Sequence, residues 1–181
     1  MQIKRIKTEK EFDQLAEELG RIHCDSFSRA PWNVSFKLDE SILFLRSHFR
    51  VNGQIFVVGF EDDKVIGAAL ASPLYFHYDI SRLMDPEIIQ NTIYLTRIFV
   101  DRKFRGKHFG QLLHEARLEF AKWENFQFAL HRTAAGTRMH RIVQRGGFKK
   151  IGQMPVLERC ETNLGTYIYR NELRVLSLKK L

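Results

Sequence analysis

Ile98-Phe99-Val100-Asp101-Arg102-Lys103-Phe104-Arg105-Gly106-Lys107-His108-Phe109-Gly110 is the stretch on which the reading of this chain turns. It joins an apolar run with strand character, Ile93 to Val100, to a segment in which Phe109, Leu112, Leu113, Ala116, Phe120 and Trp123 recur at helical spacing. A strand turning directly into a helix aims the unpaired N–H groups of the helix start at one point, with the positive end of the macrodipole behind them. Gly106 and Gly110 let a ligand approach the main chain, and Arg105 and Lys107 add positive charge. The expected occupant is an anion. A Walker P-loop is excluded, because Asp101 stands where its first glycine belongs and no Ser or Thr follows Lys107. Nor does the stretch spell G-x-G-x-x-G.

Outward from this turn the apolar period changes several times. Residues 2 to 7 alternate as a short strand, and Phe12, Leu15, Ala16, Leu19, Ile22 and Phe27 mark an amphipathic helix from Glu9, interrupted at Ala30-Pro31-Trp32. A second helix is expected after Asp39 as N-cap, burying Ile42, Leu45 and Phe49. Residues 54 to 60 and 64 to 71 flank Glu61-Asp62-Asp63 as a hairpin, while 73 to 90 read as an irregular excursion. Past the turn, Phe126 to Leu130 reads as a strand, and Met139, Ile142, Val143 and Gly146 form one helical face. Residues 148 to 151 and 166 to 173 read as the last strands. The order β-α-α-β-β-β-α-β-α-β-β gives an α+β class, α/β in a loose sense. With no internal repeat, low-complexity tract or linker, one domain over residues 1–181 is expected.

Composition narrows the partners. The chain is 44% hydrophobic and 28% charged, as in globular proteins. Its longest apolar candidate, Val65 to Phe76, is broken by Gly67, Ser72 and Pro73, short of the roughly 18 residues of a membrane helix. The N-terminus lacks the apolar core of a signal peptide. Cys24 and Cys160 stand far apart and read as reduced thiols in a cytoplasmic protein, which makes the sequon Asn33-Val34-Ser35 accidental. The seven histidines show no zinc-type spacing with them, so no metal is expected. A net charge of +8 calls for an anionic partner, either a nucleic acid or a phosphorylated cofactor. The cations gather at the turn and on one helix, Arg138, Arg141 and Arg145, without an RNP-like, helix-turn-helix or zinc-finger pattern, so nucleic acid is not favoured.

The triplet Ile98-Phe99-Val100, followed by Arg105-Gly106-Lys107-His108-Phe109-Gly110-Gln111-Leu112-Leu113, resembles the motif of the GNAT N-acetyltransferase superfamily, Q/R-x-x-G-x-G/A after a strand. Ile142-Val143-Gln144-Arg145-Gly146-Gly147-Phe148 resembles that family's helix-then-Gly-Phe close. The resemblance implies a mixed, centrally splayed sheet of about seven strands flanked by four helices. It implies acetyl-CoA as acyl donor, with the backbone of Ile98, Phe99 and Val100 pairing with the pantetheine arm. The amides of Arg105, Gly106, Lys107, His108, Phe109 and Gly110 would hold the pyrophosphate. The implied reaction moves an acetyl group to a primary amine of a small molecule or peptide, by direct attack in a ternary complex. Two positions depart from the pattern: His108 replaces the second motif glycine, and Val143 stands where the family often has an acidic tyrosine. A catalytically weak binding module, a CoA sensor or nucleic-acid binder, is the alternative. Exposed strand edges would allow a homodimer.

Such a transfer must deprotonate the amine and stabilise an oxyanion as the thiolate leaves. The candidates are Tyr94, on the strand before the turn, and His140, one helical turn before Val143, with His131 as a third. His108 would contact only phosphate. The excursion bearing Tyr75, Phe76, His77 and Tyr78 is the candidate wall of the acceptor site.

Overall fold

Ile55-Phe56-Val57-Val58 and Ala68-Ala69-Leu70-Ala71 are unbroken apolar runs in which every side chain is buried, so both faces of the sheet they build must be covered. A computed structural model gives that arrangement. It describes residues 1–28, 34–161 and 167–181, with 157–161 and 167–172 as backbone only. The expected break at Ala30-Pro31-Trp32, Asn33 of the sequon, Thr166 and the Cys160 side chain lie outside the described residues.

In chain order the elements are β1 (Gln2–Ile6), α1 (Glu9–Asp13), α2 (Ala16–Phe27), α3 (Leu38–Ser47), β2 (Ile55–Glu61), β3 (Lys64–Pro73), α4 (Tyr78–Ser81), α5 (Pro86–Gln90), β4 (Thr92–Val100), α6 (Phe109–Trp123), β5 (Phe128–Ala134), α7 (Arg138–Arg145), β6 (Lys149–Glu161) and β7 (Tyr167–Lys180). The strands form one seven-stranded sheet in the order β1-β2-β3-β4-β5-β7-β6. Only β4 and β5 run parallel, and α6 is the crossover between them. The class is α+β, as expected, and four helices among the described residues, α2, α3, α6 and α7, have eight residues or more.

Several boundaries differ from the reading of the sequence. The first helix breaks at Gln14-Leu15 into α1 and α2, and α1 is closed by a capping box between Thr8 and Glu11. Lys37, not Asp39, is the N-cap of α3; Glu40 accepts from the Lys37 amide at 3.1 Å, and Asp39 sits in the first turn, where the dipole favours it. Phe49 lies beyond α3 in a 3-10 turn, His48–Arg50. The excursion at 73 to 90 is not irregular: it holds a 3-10 turn, Leu74–Phe76, and α4 and α5, the latter capped by Asp85 with Pro86 following. Strands β6 and β7 are far longer than 148 to 151 and 166 to 173, because they pair with each other from Lys149↔Leu178 to Glu161↔Tyr167.

Three apolar clusters form among the described residues, and the two larger cover the two faces of the sheet. Phe12, Leu19, Leu45, Phe56, Val58 and Leu70 pack under α1 to α3, and Ile55, Val57, Ala69, Leu113, Leu118 and Ala121 pack under α6. Strand β4 changes face between them. Ile93 and Leu95 belong to the α6 side, whereas Phe99 belongs to the α1–α3 side although its number has the same parity. The cause is a bulge: Leu70 pairs with Arg97 and Ala71 with Leu95, leaving Thr96 as an inserted residue. One inserted residue flips every side chain after it.

Candidate functional site

The bulge at Thr96 sets the geometry of the site. Pairing of β4 with β5 stops at Leu95↔His131, while β4 continues to Val100 and β5 to Ala134. Beyond that point the two parallel strands splay. Because the bulge resets the alternation, Tyr94 and Arg97, three apart, come to line the same two cavities.

Arg117 of α6 stands behind the bulge. It is fully buried and its Nη1 donates to the carbonyls of Leu70 and Arg97, at 3.0 Å each, the pair that borders the inserted residue. Its Nη2 donates to His114 Nδ1 at 2.9 Å. Burial lowers the guanidinium pKa to about 9, so it stays charged at neutral pH. Burial, followed by the neighbouring Arg117 charge, lowers His114 to about 2 and keeps that imidazole neutral and able to accept.

At the far end of β4 the chain makes a 3-10 turn at Arg102–Phe104 and enters α6. Gly106 has φ +88 and His108 φ +63, so both take the left-handed conformation. His108 therefore adopts a backbone shape that glycine would supply without strain. It is the N-cap of α6, and its side chain caps no amide. The amides of Gln111 and Leu112 bond to the His108 carbonyl, while those of Gly106 to Gly110 find no acceptor among the described residues. The first turn of α6 carries no acidic residue either. A row of free donors thus stands at the positive end of a 15-residue helix.

Of these residues, Gly106, His108, Phe109 and Gly110 line the first of three cavities found among the described residues. It measures about 360 Å3 and lies between Ile98–Val100, the start of α6, and Arg138, Met139, Arg141, Ile142 and Arg145 of α7. The three arginines, read from sequence as one basic face, do converge here. Arg105 behaves differently from its expected role as a charge at the turn. Its Nε donates to the Val100 carbonyl at 2.8 Å and its Nη2 to Ser26 Oγ at 2.9 Å, so the side chain fastens the turn to α2. The Lys107 ammonium lies over the Phe104 ring, 5.5 Å from its centroid, and Lys107 does not line the cavity.

The second cavity, about 160 Å3, occupies the splay and shares Ile98 and Met139 with the first. The third, about 400 Å3, shares Tyr94, Thr96, Arg97 and Arg132 with the second and is closed by Phe44, His48, Phe76 and His77. The three follow one another along β4. Tyr94 is 6% exposed, with the Arg132 guanidinium 5.8 Å over its ring and His77 edge-on at 4.5 Å. Burial raises its phenol pKa, so it stays protonated. His77 Nε2 is 2.7 Å from Ser72 Oγ, and burial lowers its pKa, leaving a neutral imidazole at pH 7. His48, also lowered chiefly by burial, to about 4, reaches Thr96 Oγ1 at 3.4 Å.

Of the residues singled out from sequence, Tyr94 reaches the cavities and His140 does not. His140 Nδ1 accepts from the Gly136 amide at 3.1 Å, which ties it into the turn before α7, and it lines none of the three cavities. His131 lines the second cavity but is 5% exposed and lowered, mainly by burial, to about 3. Val143 is wholly buried in the core beneath α6. Phe76 and His77 of the excursion do wall the third cavity, whereas Tyr78 is 76% exposed. His48, Arg97, Arg132 and Arg117 were missed. Only Arg117 left a trace in the sequence, four residues after Leu113 on a helix whose positions 109, 113, 117 and 121 are all buried.

No curated protein sequence matches this chain significantly. Solved structures do resemble it in fold. The ribosomal-protein-alanine N-acetyltransferase from Brucella melitensis is 18% identical, with 100% of each chain covered and a TM-score of 0.70. An N-acetyltransferase from Staphylococcus aureus Mu50 is 19% identical over 99% of each chain, at 0.68. The yncA protein from Salmonella typhimurium, solved with its cofactor acetyl-CoA, is 14% identical, over 99% of this chain and 94% of that one, at 0.67. At such identities the likeness speaks for the fold. The sequence itself goes further, since residues 16–148 match the acetyltransferase (GNAT) family and span the bulged strand, the amide-lined turn and the Gly-Phe close. This chain belongs to the acetyltransferase (GNAT) family.

Proposed function

We propose that the chain acts as one domain that transfers the acetyl group of acetyl-CoA to a primary amine, by direct attack while both substrates are bound. The observation that carries this reading is the row of free amides from Gly106 to Gly110 at the mouth of a cavity that leads along β4 into a second and third. A diphosphate satisfies those amides, with Arg138, Arg141 and Arg145 facing it across the groove. The pantetheine arm then follows Ile98, Phe99 and Val100 into the splay and brings the thioester to the border of the third cavity.

The amine enters from the third cavity. His77 is the base this reading favours: it is neutral, lines that cavity, and is less strongly depressed than His48. It takes the amine proton as nitrogen attacks the thioester carbonyl carbon. Negative charge then develops on the carbonyl oxygen, where an amide of the splayed part of β4 can donate. The carbon–sulfur bond breaks, and the leaving sulfur takes a proton from Tyr94, which burial keeps protonated. A thiol pKa of about 8.5 makes the thiolate a fair leaving group even without strong acid assistance. The test is binding and turnover on the same protein. At about 100 times its dissociation constant, acetyl-CoA stabilises by about 2.7 kcal/mol, a rise in Tm of roughly 5–10 °C. Gly110→Asp should remove that rise, and His77→Gln should keep it while lowering kcat about 100-fold or more. A wild-type Tm indifferent to acetyl-CoA would refute the reading.

A further inference from the structure

We infer that the acceptor is a small amine carrying its own oxyanion, a carboxylate or a phosphate, on an apolar or aromatic body. The inference rests on the transferase reading above and narrows its acceptor. Arg97 and Arg132 line the third cavity, and no Asp or Glu lines it among the described residues. The adjoining second cavity adds Arg174, again without a lining carboxylate among the described residues. The Arg97 guanidinium stacks 5.3 Å from the rings of both Phe27 and Phe44, which fixes its plane at the cavity wall. Arg132 is held by Asp79, 2.7 Å away at the outer edge, and by the Tyr94 ring.

A planar guanidinium held in place suits an oxyanion, which it can bind through two parallel hydrogen bonds. The same charges act against a polycation, since each further ammonium of a polyamine or aminoglycoside would be brought beside arginines, with no carboxylate among the described lining residues and Asp79 at the edge already paired with Arg132. They also help the chemistry. A cationic surround lowers the pKa of the reacting amine and raises its neutral, nucleophilic fraction. A volume near 400 Å3 walled by Phe44, Phe76 and His77 leaves room for an apolar body of amino-acid size.

The experiment measures thiol release from acetyl-CoA with matched amines: phenylalanine against phenylalaninamide, O-phosphoethanolamine against ethanolamine, and spermidine as the polycation. In at least one pair the anionic member should exceed its neutral partner about tenfold or more in kcat/KM, with spermidine poorest. The pair that responds identifies the oxyanion. Arg97→Gln and Arg132→Gln should erase the preference through KM while the Tm rise with acetyl-CoA persists, and Arg97→Lys, milder for folding, should retain part of it. N-acetylphenylalanine and inorganic phosphate, used as binding probes with saturating CoA so that the turn at residues 106 to 110 is already filled, should raise the wild-type Tm more than N-acetylphenylalaninamide does. Equal or better use of the neutral member in both pairs, or of spermidine, overturns the inference and leaves the transferase reading intact. So does stabilisation by acetyl-CoA with no response to either anion, in turnover or in Tm. Failure of acetyl-CoA itself to bind overturns both.

Discussion

His108 and Gly110 show how one turn divides its duties between adjacent residues. At His108 the left-handed backbone is tolerated by a side chain that makes no cap, at a cost of about 1 kcal/mol. The residue that departs from the motif thus takes a backbone conformation that glycine adopts freely. At Gly110 a Cβ would meet only Val100 Cγ2, at an ordinary 3.7 Å, so the protein itself does not require glycine there. At Gly67 the situation is reversed: a Cβ would collide with the Phe99 carbonyl and lie 2.8 Å from Val100 Cα. Gly110→Ala is accordingly expected to hold its Tm while losing much of the stabilisation by acetyl-CoA. Gly67→Ala should lose about 2 kcal/mol or more whether or not the ligand is present. Thermal melts with and without acetyl-CoA separate the two, and equal behaviour would contradict the assignment of Gly110 to a ligand-facing position.

Strand β4 and helix α6 work as a pair. The inserted residue Thr96 opens the sheet, and Arg117 occupies the carbonyls that the irregular pairing would otherwise leave buried and unmet. This explains a buried cation on a helix face that packs against apolar strands. Arg117→Ala leaves two carbonyls and His114 Nδ1 without a donor and is expected to cost about 3 kcal/mol or more, read as a drop in denaturation midpoint at unchanged m-value. Because the bulge also aims Arg97 and sets the splay, the surviving folded fraction should show a raised KM for acetyl-CoA. A variant with wild-type stability and KM would mean that the bulge holds itself. The sequence reading placed the apolar stripe of α6 on Phe109, Leu112, Leu113, Ala116, Phe120 and Trp123; Phe109 and Leu113 are buried, whereas Leu112 is 41% and Trp123 70% exposed. The buried face also takes in the polar residues His114 and Arg117, which an apolar period leaves out.

Taken as a whole, the molecule buries four histidines in neutral form. His23 and His131 are lowered to about 3, His114 to about 2 and His48 to about 4, in each case first by burial. The unfolded chain protonates them near pH 6.5, while the native protein does not until far lower. Above about pH 6.5 both states are neutral and the native protein keeps its full stability. As pH falls from there toward 4 the unfolded state binds protons that the native state refuses, and stability declines. At pH 5 this is about 2 kcal/mol for each such group, a large share of a typical folding free energy. Tm should therefore plateau above neutrality and fall steeply below pH 6. His23→Phe, in a ring cluster with Phe27, Phe36, Phe44 and Phe99, should flatten that slope. A wild-type Tm independent of pH between 7 and 5 would contradict the buried neutral state.

What the sequence determined by itself was local. The period change at residues 93 to 123, the glycines at 106 and 110 and the cations at 105 and 107 are properties of adjacent residues, and they were enough to expect a strand, an anion-binding turn and a helix, of which the strand and the helix are observed. The family resemblance rested on the same stretch, and the match over residues 16–148 upholds it. The tertiary structure decided the rest. Thr96 becomes an inserted residue only against the register of β3, and Arg105 becomes a fastener only because Ser26 of α2 comes within 2.9 Å. The third cavity draws His48, His77, Tyr94 and Arg132 from four separate elements or turns, so no spacing along the chain could announce it. Periodicity reports which face of one element is apolar. Which polar side chains meet depends on how the sheet is ordered, and the bulge at Thr96 fixed that for this site.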